Sequence, residues 1–243
     1  GYALTAHGKD LYKEVQKIDF KISALKERFI PNPELMNGTL VIYKQGEGGE
    51  NMTNIITKIR QNFPNLSIHI MNDSDSSDIT TEMYDIGFIG TTSPPEDSIA
   101  TLLGELNMHI YGSKEYLKKV KNVNDFQWVT YKRKDQADTN FVVKTFFKDP
   151  NIIISSNSYQ DAHAFVSSGN GAAFLTELDG ENDPRLKSYK KEEYSFKIGF
   201  YLIQHELSRS NPIVRAVKKL ILENIDELLR QTNYVSGYDQ KKP

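Results

Sequence analysis

Near the start of the chain six apolar residues, Leu11, Val15, Ile18, Ile22, Leu25 and Phe29, recur at alternating steps of four and three, and mostly Lys, Glu, Gln and Asp fill the positions between them. That is the a/d stripe of a heptad helix. Pro31 and Pro33 stop it, because proline lacks the N–H and its ring clashes with the preceding turn. A stripe this narrow suits pairing with a second chain better than lying on the helix's own domain. Residues 1–31 are therefore expected to form a helix that dimerises through these six side chains.

From Gly38 the pattern changes to short β-rich runs separated by helical spacing. Strands are expected at Thr39–Tyr43, Leu66–Met71, Tyr84–Ile89, Ile99–Tyr111, Gln127–Lys132, Asn151–Ser155, Ala172–Thr176 and Phe196–His205. Helices are expected at Asn51–Phe63, where Met52, Ile55, Ile59 and Phe63 share a face, at Lys114–Val120 behind a Ser113 cap, and at Asp138–Lys148, Ser158–Ser168 and Pro212–Gln231. The polar stretch Asn72–Thr81 reads as a loop, and the tail Thr232–Pro243 as frayed. Alternation of this kind implies parallel strands with right-handed crossovers. Two β/α runs of similar size, with the chain returning late, predict an α/β binding domain over 38–243 with two lobes. Lobe I would take about 38–110 and 196–243, and lobe II about 111–195. In open parallel sheets ligands collect at the carboxyl ends of the strands, so a cleft is expected where the crossovers meet.

Charge and chemistry narrow the function. The 30 basic and 32 acidic side chains leave a formal charge of -2, whereas a domain that grips DNA by itself carries a basic excess. Cysteine is absent, which removes disulfides, thiolate metal sites and thiol nucleophiles. No apolar run approaches the roughly 20 residues of a membrane span, and the first residues lack a secretory signal, so a cytoplasmic protein without membrane association is the expectation. The histidines His7, His69, His109 and His163 form no metal-ligand spacing. No nucleophile elbow, phosphate loop or dinucleotide fingerprint is present. No catalytic residue, metal or cofactor is expected; the reading is a binding module and not an enzyme.

The order of motifs resembles the LysR-type transcriptional regulators over nearly the whole chain. Leu4-Thr5-Ala6-His7-Gly8 is similar to the LT-x-x-G that closes the family's winged helix-turn-helix, and the heptad helix sits where its linker sits. Phe63-Pro64-Asn65-Leu66, Asp85-Ile86-Gly87-Phe88, Val166-Ser167-Ser168-Gly169-Asn170-Gly171-Ala172-Ala173-Phe174-Leu175 and Asn211-Pro212-Ile213-Val214-Arg215 resemble successive family junctions. Thr176 stands where a proline often follows the second-lobe strand, and Asn72–Tyr84 is short for the usual second helix. The resemblance implies a type 2 periplasmic-binding-protein-like effector domain behind a linker helix, in a homodimer or homotetramer. It would bind a small-molecule effector between the lobes and pass lobe movement to a winged helix-turn-helix that this sequence does not include. Operator DNA would be reached only through that missing part, with RNA polymerase as a further partner. The alternative is a solute-binding protein of a transporter, which shares the lobes but has no use for a heptad helix.

Effector contacts are expected from Gln45, Gly46 and Glu47 in the glycine-rich turn after the first strand, and from Thr91 and Thr92 after the third. On the second lobe Tyr131, Asn157, Ser158 and Thr176 end strands, and His205 ends the late strand. Backbone N–H groups of the glycine turn suit an anion, but Glu47 and Glu50 repel a carboxylate unless they point outward or the ligand is cationic. Ser158 reads equally well as a helix cap, and Lys132, Arg133 and Lys134 as solvated charge.

Overall fold

The computed structural model describes residues 5, 7, 8, 11, 12, 15, 18, 22, 36–44, 49–72, 84–96, 98–131 and 139–225. Within the first stretch, residues 7, 8, 11, 12, 15, 18 and 22 are helical, and Leu11, Val15, Ile18 and Ile22 are exposed. Leu25 and Phe29 lie outside the described residues.

Beyond residue 36 the described chain runs β1 (Gly38–Lys44), α1 (Gly49–Asn62), β2 (Leu66–Asn72), β3 (Ile86–Thr91), β4 (Ser98–Ser113), α2 (Lys114–Lys119), β5 (Gln127–Tyr131), α3 (Thr139–Phe146), β6 (Asn151–Ser156), α4 (Tyr159–Ser167), β7 (Ala172–Thr176), α5 (Glu177–Asn182), β8 (Leu186–Ser188), β9 (Ser195–His205) and α6 (Pro212–Glu223). Caps fix several helix starts. Ser113 accepts from Tyr116 N, Ser158 from Asp161 N and Asn211 from Ile213 N, each satisfying a backbone donor that the first turn leaves free.

Hydrogen bonding joins all the strands in the order β2-β1-β3-β9-β4-β7-β5-β6, with β8 on the tip of β4. Strands β1, β2 and β3 are parallel, as are β5, β6 and β7. The long strands β4 and β9 run antiparallel to their neighbours and to each other. They pair from Ser98↔His205 to His109↔Ser195, with the register shifting between Leu102 and Gly104. A bulge there bends the ribbon. The expected parallel runs are therefore present, but one antiparallel ribbon crosses between them.

The apolar interior divides accordingly. In the early half of the sheet, Leu40, Ile42, Met52, Ile55, Ile59, Phe63, Ile86 and Phe88 pack with Leu202, Val214, Val217 and Ile221. Full burial of each such side chain contributes about 1.5–3 kcal/mol. The late half has a core on each face. Trp128, Phe126, Phe147 and Phe174 fill one, and Tyr111, Val129, Ala162, Val166 and Leu175 the other. Gly171 is required at the entry to β7: its φ is +139°, and a Cβ would strike the carbonyl of Gln127.

Sequence boundaries hold to within one or two residues for most elements. The third strand is displaced, ending on Thr91 instead of Ile89. Helix α5 and strand β8 are additional. The last helix is described to Glu223, and the expected continuation from residue 226 lies outside the described residues.

Candidate functional site

The strand register locates where a ligand could be held. At the end of β3, Thr91 is opposite Gly199, and Gly199 is opposite Glu105. At the end of β7, Thr176 is opposite Met108. The carboxyl ends of both parallel sets thus approach the crossing strands within three residues of each other, about 10 Å along β4. Lys197 and Glu105 pair across these strands at 2.8 Å.

The expected contacts divide in four ways. Gln45, Gly46 and Glu47 lie outside the described residues, as do Lys132, Arg133 and Lys134. Thr91 is buried and its hydroxyl is spent locally, donating to Ser93 O at 3.0 Å and accepting from Ser93 N at 3.1 Å. Thr92, next to it, is exposed. On the late half, Tyr131, Asn157, Ser158 and Thr176 all sit at or just beyond the carboxyl ends of β5, β6 and β7. Asn157 is exposed, whereas Ser158 works as the α4 cap, accepting from Asp161 N at 3.2 Å. His205 departs from this group. It is opposite Ser98, six residues past Gly199 on β9, which is about 20 Å from the convergence. Because β9 runs antiparallel, its end points away from the ends of β1–β3, and the register gives His205 no place among these residues.

Two side-chain networks surround the late-half strand ends that the sequence did not single out. In the first, the Tyr159 hydroxyl donates to Asp179 Oδ2 at 2.7 Å and accepts from Thr176 N at 3.1 Å. Thr176 caps α5 by accepting from Asp179 N at 3.1 Å. Tyr131 meets the Tyr159 ring edge-on, with centroids 5.1 Å apart. Burial, reinforced by the Asp179 charge, raises both phenols above the usual tyrosine range. In the second network, Asn107 donates to Glu177 at 3.0 Å and Tyr111 to Glu181 at 3.0 Å, while Lys191 bridges Glu177 at 3.1 Å and Glu181 at 2.5 Å. Gly180 admits this arrangement, since a Cβ there would enter the Tyr111 ring. His109 lies 3.8 Å from Glu177, and its Nδ1 has no hydrogen-bond partner among the described residues. Burial lowers its pKa against the raising influence of Glu177.

Comparison with known proteins places this geometry. The family model for the LysR substrate binding domain matches residues 48–226, most of the chain. The chain belongs to that family. Its regulatory domain has the type 2 periplasmic-binding-protein-like fold. Among solved structures, the full-length Vibrio cholerae virulence activator AphB, a member of the LTTR family, is similar at a TM-score of 0.58 and 14% identity, covering 91% of this chain and 80% of that one. The effector binding domain of QuiR in complex with shikimate is similar at a TM-score of 0.64 and 12% identity, covering 79% of this chain and 99% of that one. The Synechocystis PCC6803 CcmR regulatory domain in complex with 2-PG gives 0.63 and 13%, covering 77% and 97%. Comparison with curated protein sequences finds no match. Among the described residues of this LysR-type regulatory domain, no helix is long and apolar enough to cross a membrane.

Proposed function

We propose that this LysR-type domain senses a small-molecule effector held where the two parallel strand sets converge on the β4/β9 ribbon. The observation that carries this is the register: Thr91, beside Gly199 on β9, and Thr176, beside Met108 on β4, approach the same short stretch of the β4/β9 ribbon from opposite sides. Two halves with separate cores, joined through two strands with a bulge, form a hinge in the mechanical sense. On this reading the early half with β9 and α6 is lobe I, and the segment from about 111 to 195 is lobe II. An effector that touches both lobes favours one lobe arrangement by its differential affinity. The solved QuiR and CcmR domains hold shikimate and 2-PG, and a small polar metabolite is the corresponding class here.

In the same proposal the N-terminal helix pairs chains into a homodimer or homotetramer. The exposure of Leu11, Val15, Ile18 and Ile22 supports it, since four apolar side chains on one stripe gain by leaving water. Operator DNA and RNA polymerase would be engaged by the assembled regulator and not by this domain.

A thermal-shift screen of small polar metabolites tests effector sensing. A ligand at a hundredfold excess over its Kd stabilises by about 2.7 kcal/mol, or about 5–10 °C for a chain of this size. Replacing Thr92 by Val should weaken the response and leave the ligand-free Tm unchanged, because its side chain is exposed. A ligand response untouched by Thr92→Val and by substitutions at Tyr131 and Thr176 would place binding elsewhere and refute the hinge site.

A further inference from the structure

On the β4/β9 ribbon, His109 buries a nitrogen that no other described residue meets. It is 8% exposed, and its Nδ1 has no hydrogen-bond partner among the described residues. Buried polar groups ordinarily have one. The residue stands where β4 leaves the ribbon: His109↔Ser195 is its last pair with β9, and on the other side it is opposite Leu175 of β7. Its Nε2 faces Glu177, the first residue of α5, at 3.8 Å, which is beyond hydrogen-bond reach.

Glu177 is held by other groups. Its Oε2 accepts from Asn107 at 3.0 Å and its Oε1 from Lys191 at 3.1 Å, and Lys191 is tied in turn to Glu181 at 2.5 Å. The charged and titratable groups around the ring are thus Glu177 and Glu181 on α5, Lys191 and Glu192 between β8 and β9, and Tyr111 on β4 itself. Leu175 and Ser195 on the flanking strands do not titrate, and Lys197 farther along β9 is paired with Glu105.

A neutral imidazole carries one donor and one acceptor, whereas an imidazolium carries a donor on both nitrogens. A proton on Nδ1 here would be buried with nothing to accept it, and Nε2 would face a carboxylate that two other donors already hold. The arrangement fits the neutral ring and not the charged one. Burial acts in the same direction, lowering the pKa against the raising influence of Glu177; Lys191 lowers it further, and Glu181 and Glu192 raise it.

We propose that His109 is an acid-sensitive latch: neutral, it lets the start of α5 close on β4 beside Glu177, and protonated, it forces that contact open. Asp183 holds the far end of the helix through Ser167 and Arg185, so the release is local. It reaches the end of β7 because α5 follows directly on Thr176. The latch goes beyond effector sensing and does not depend on where an effector binds.

The test follows the whole chain from about pH 7.5 to about pH 5.5, across the ordinary histidine value of about 6.5. The imidazole NMR signal of His109, assigned by its absence in His109→Gln or by elimination with His→Gln changes at His7, His69, His163 and His205, should titrate below that value. A lowered histidine loses its stabilisation as pH falls through the unfolded value, so the native Tm should fall relative to that of His109→Gln over this window. Amide exchange in α5, corrected for the intrinsic effect of pH, should quicken by about threefold or more in the native chain. The same quickening should persist in His163→Gln, which removes the imidazole 3.7 Å from Asp183, and vanish in His109→Gln. Titration of His109 at or above the ordinary value would overturn the latch. So would α5 exchange that ignores pH, or one that quickens equally in His109→Gln.

Discussion

Asp183 offers a perturbation whose size can be worked from its contacts. The residue follows α5 and ties it to the end of α4 and to β8. Its side chain is 7% exposed. It accepts from the Ser167 hydroxyl at 2.7 Å, from Arg185 N at 2.9 Å and from the Arg185 guanidinium at 2.9 and 2.6 Å, and His163 lies 3.7 Å away. Replacing Asp183 by Ala leaves the buried Ser167 hydroxyl unpaired, at a cost of about 1–3 kcal/mol. The turn bond to Arg185 N adds about 1 kcal/mol. The guanidinium pair adds little, about 0–1 kcal/mol, because Arg185 is 62% exposed and solvent screens it. The total is about 3 kcal/mol, or a fall in Tm of about 6–12 °C. The pH dependence has a definite sign. The Arg185 hydrogen bonds hold the Asp183 carboxyl well below the usual carboxylate range, outweighing the opposing effect of burial. A depressed acid contributes its full stabilisation above the unfolded pKa, near 4, and loses it as pH falls toward the folded value. The Tm gap between the native chain and Asp183→Ala should therefore stay constant from pH 7 to about pH 5 and narrow below about pH 4. Calorimetric scans across that range check this. A gap under about 1 kcal/mol at pH 7, or one that widens in acid, would refute the reasoning.

Replacing Ile18 and Ile22 by Asp should lower the sedimenting mass toward that of one chain while the thermal transition of the sheet domain persists; unchanged mass contradicts pairing through this helix. Gly171→Ala forces a side chain onto a backbone at φ +139° and against the Gln127 carbonyl, where strain alone costs about 1–3 kcal/mol. Its Tm should fall by several degrees or its soluble yield collapse, and a variant as stable as the native chain would show that β7 can shift away from β5.

Much of the fold could be read from local signals. Met52, Ile55, Ile59 and Phe63 announced α1 by their spacing, and Ser113 and Ser158 announced the helices they cap. Helix α5 escaped because Glu177-Leu178-Asp179-Gly180-Glu181-Asn182 has one apolar residue and a glycine, hence no periodicity. Its single signal was Thr176 three residues before Asp179, a cap pattern. Strand β8 is three residues long and exists only by pairing with the tip of β4. The position of His205, away from the other strand ends, was not legible because strand direction leaves no trace in composition: a run of apolar residues reads the same parallel or antiparallel. The association of Tyr131, Tyr159 and Asp179 was invisible for a different reason. Each comes from a separate element, and only the crossovers of the sheet bring them together.

The core of the early half contains Leu40 and Ile42 from the first strand but also Leu202, Val214, Val217 and Ile221 from near the end of the chain. The cores of the late half draw on a continuous stretch of sequence that ends sooner. A growing polypeptide leaving the ribosome therefore finishes its inner half first, while the segment made earliest waits with an unclosed apolar face. Chaperone demand during synthesis should fall on that waiting segment, and truncations past residue 200 should aggregate through it.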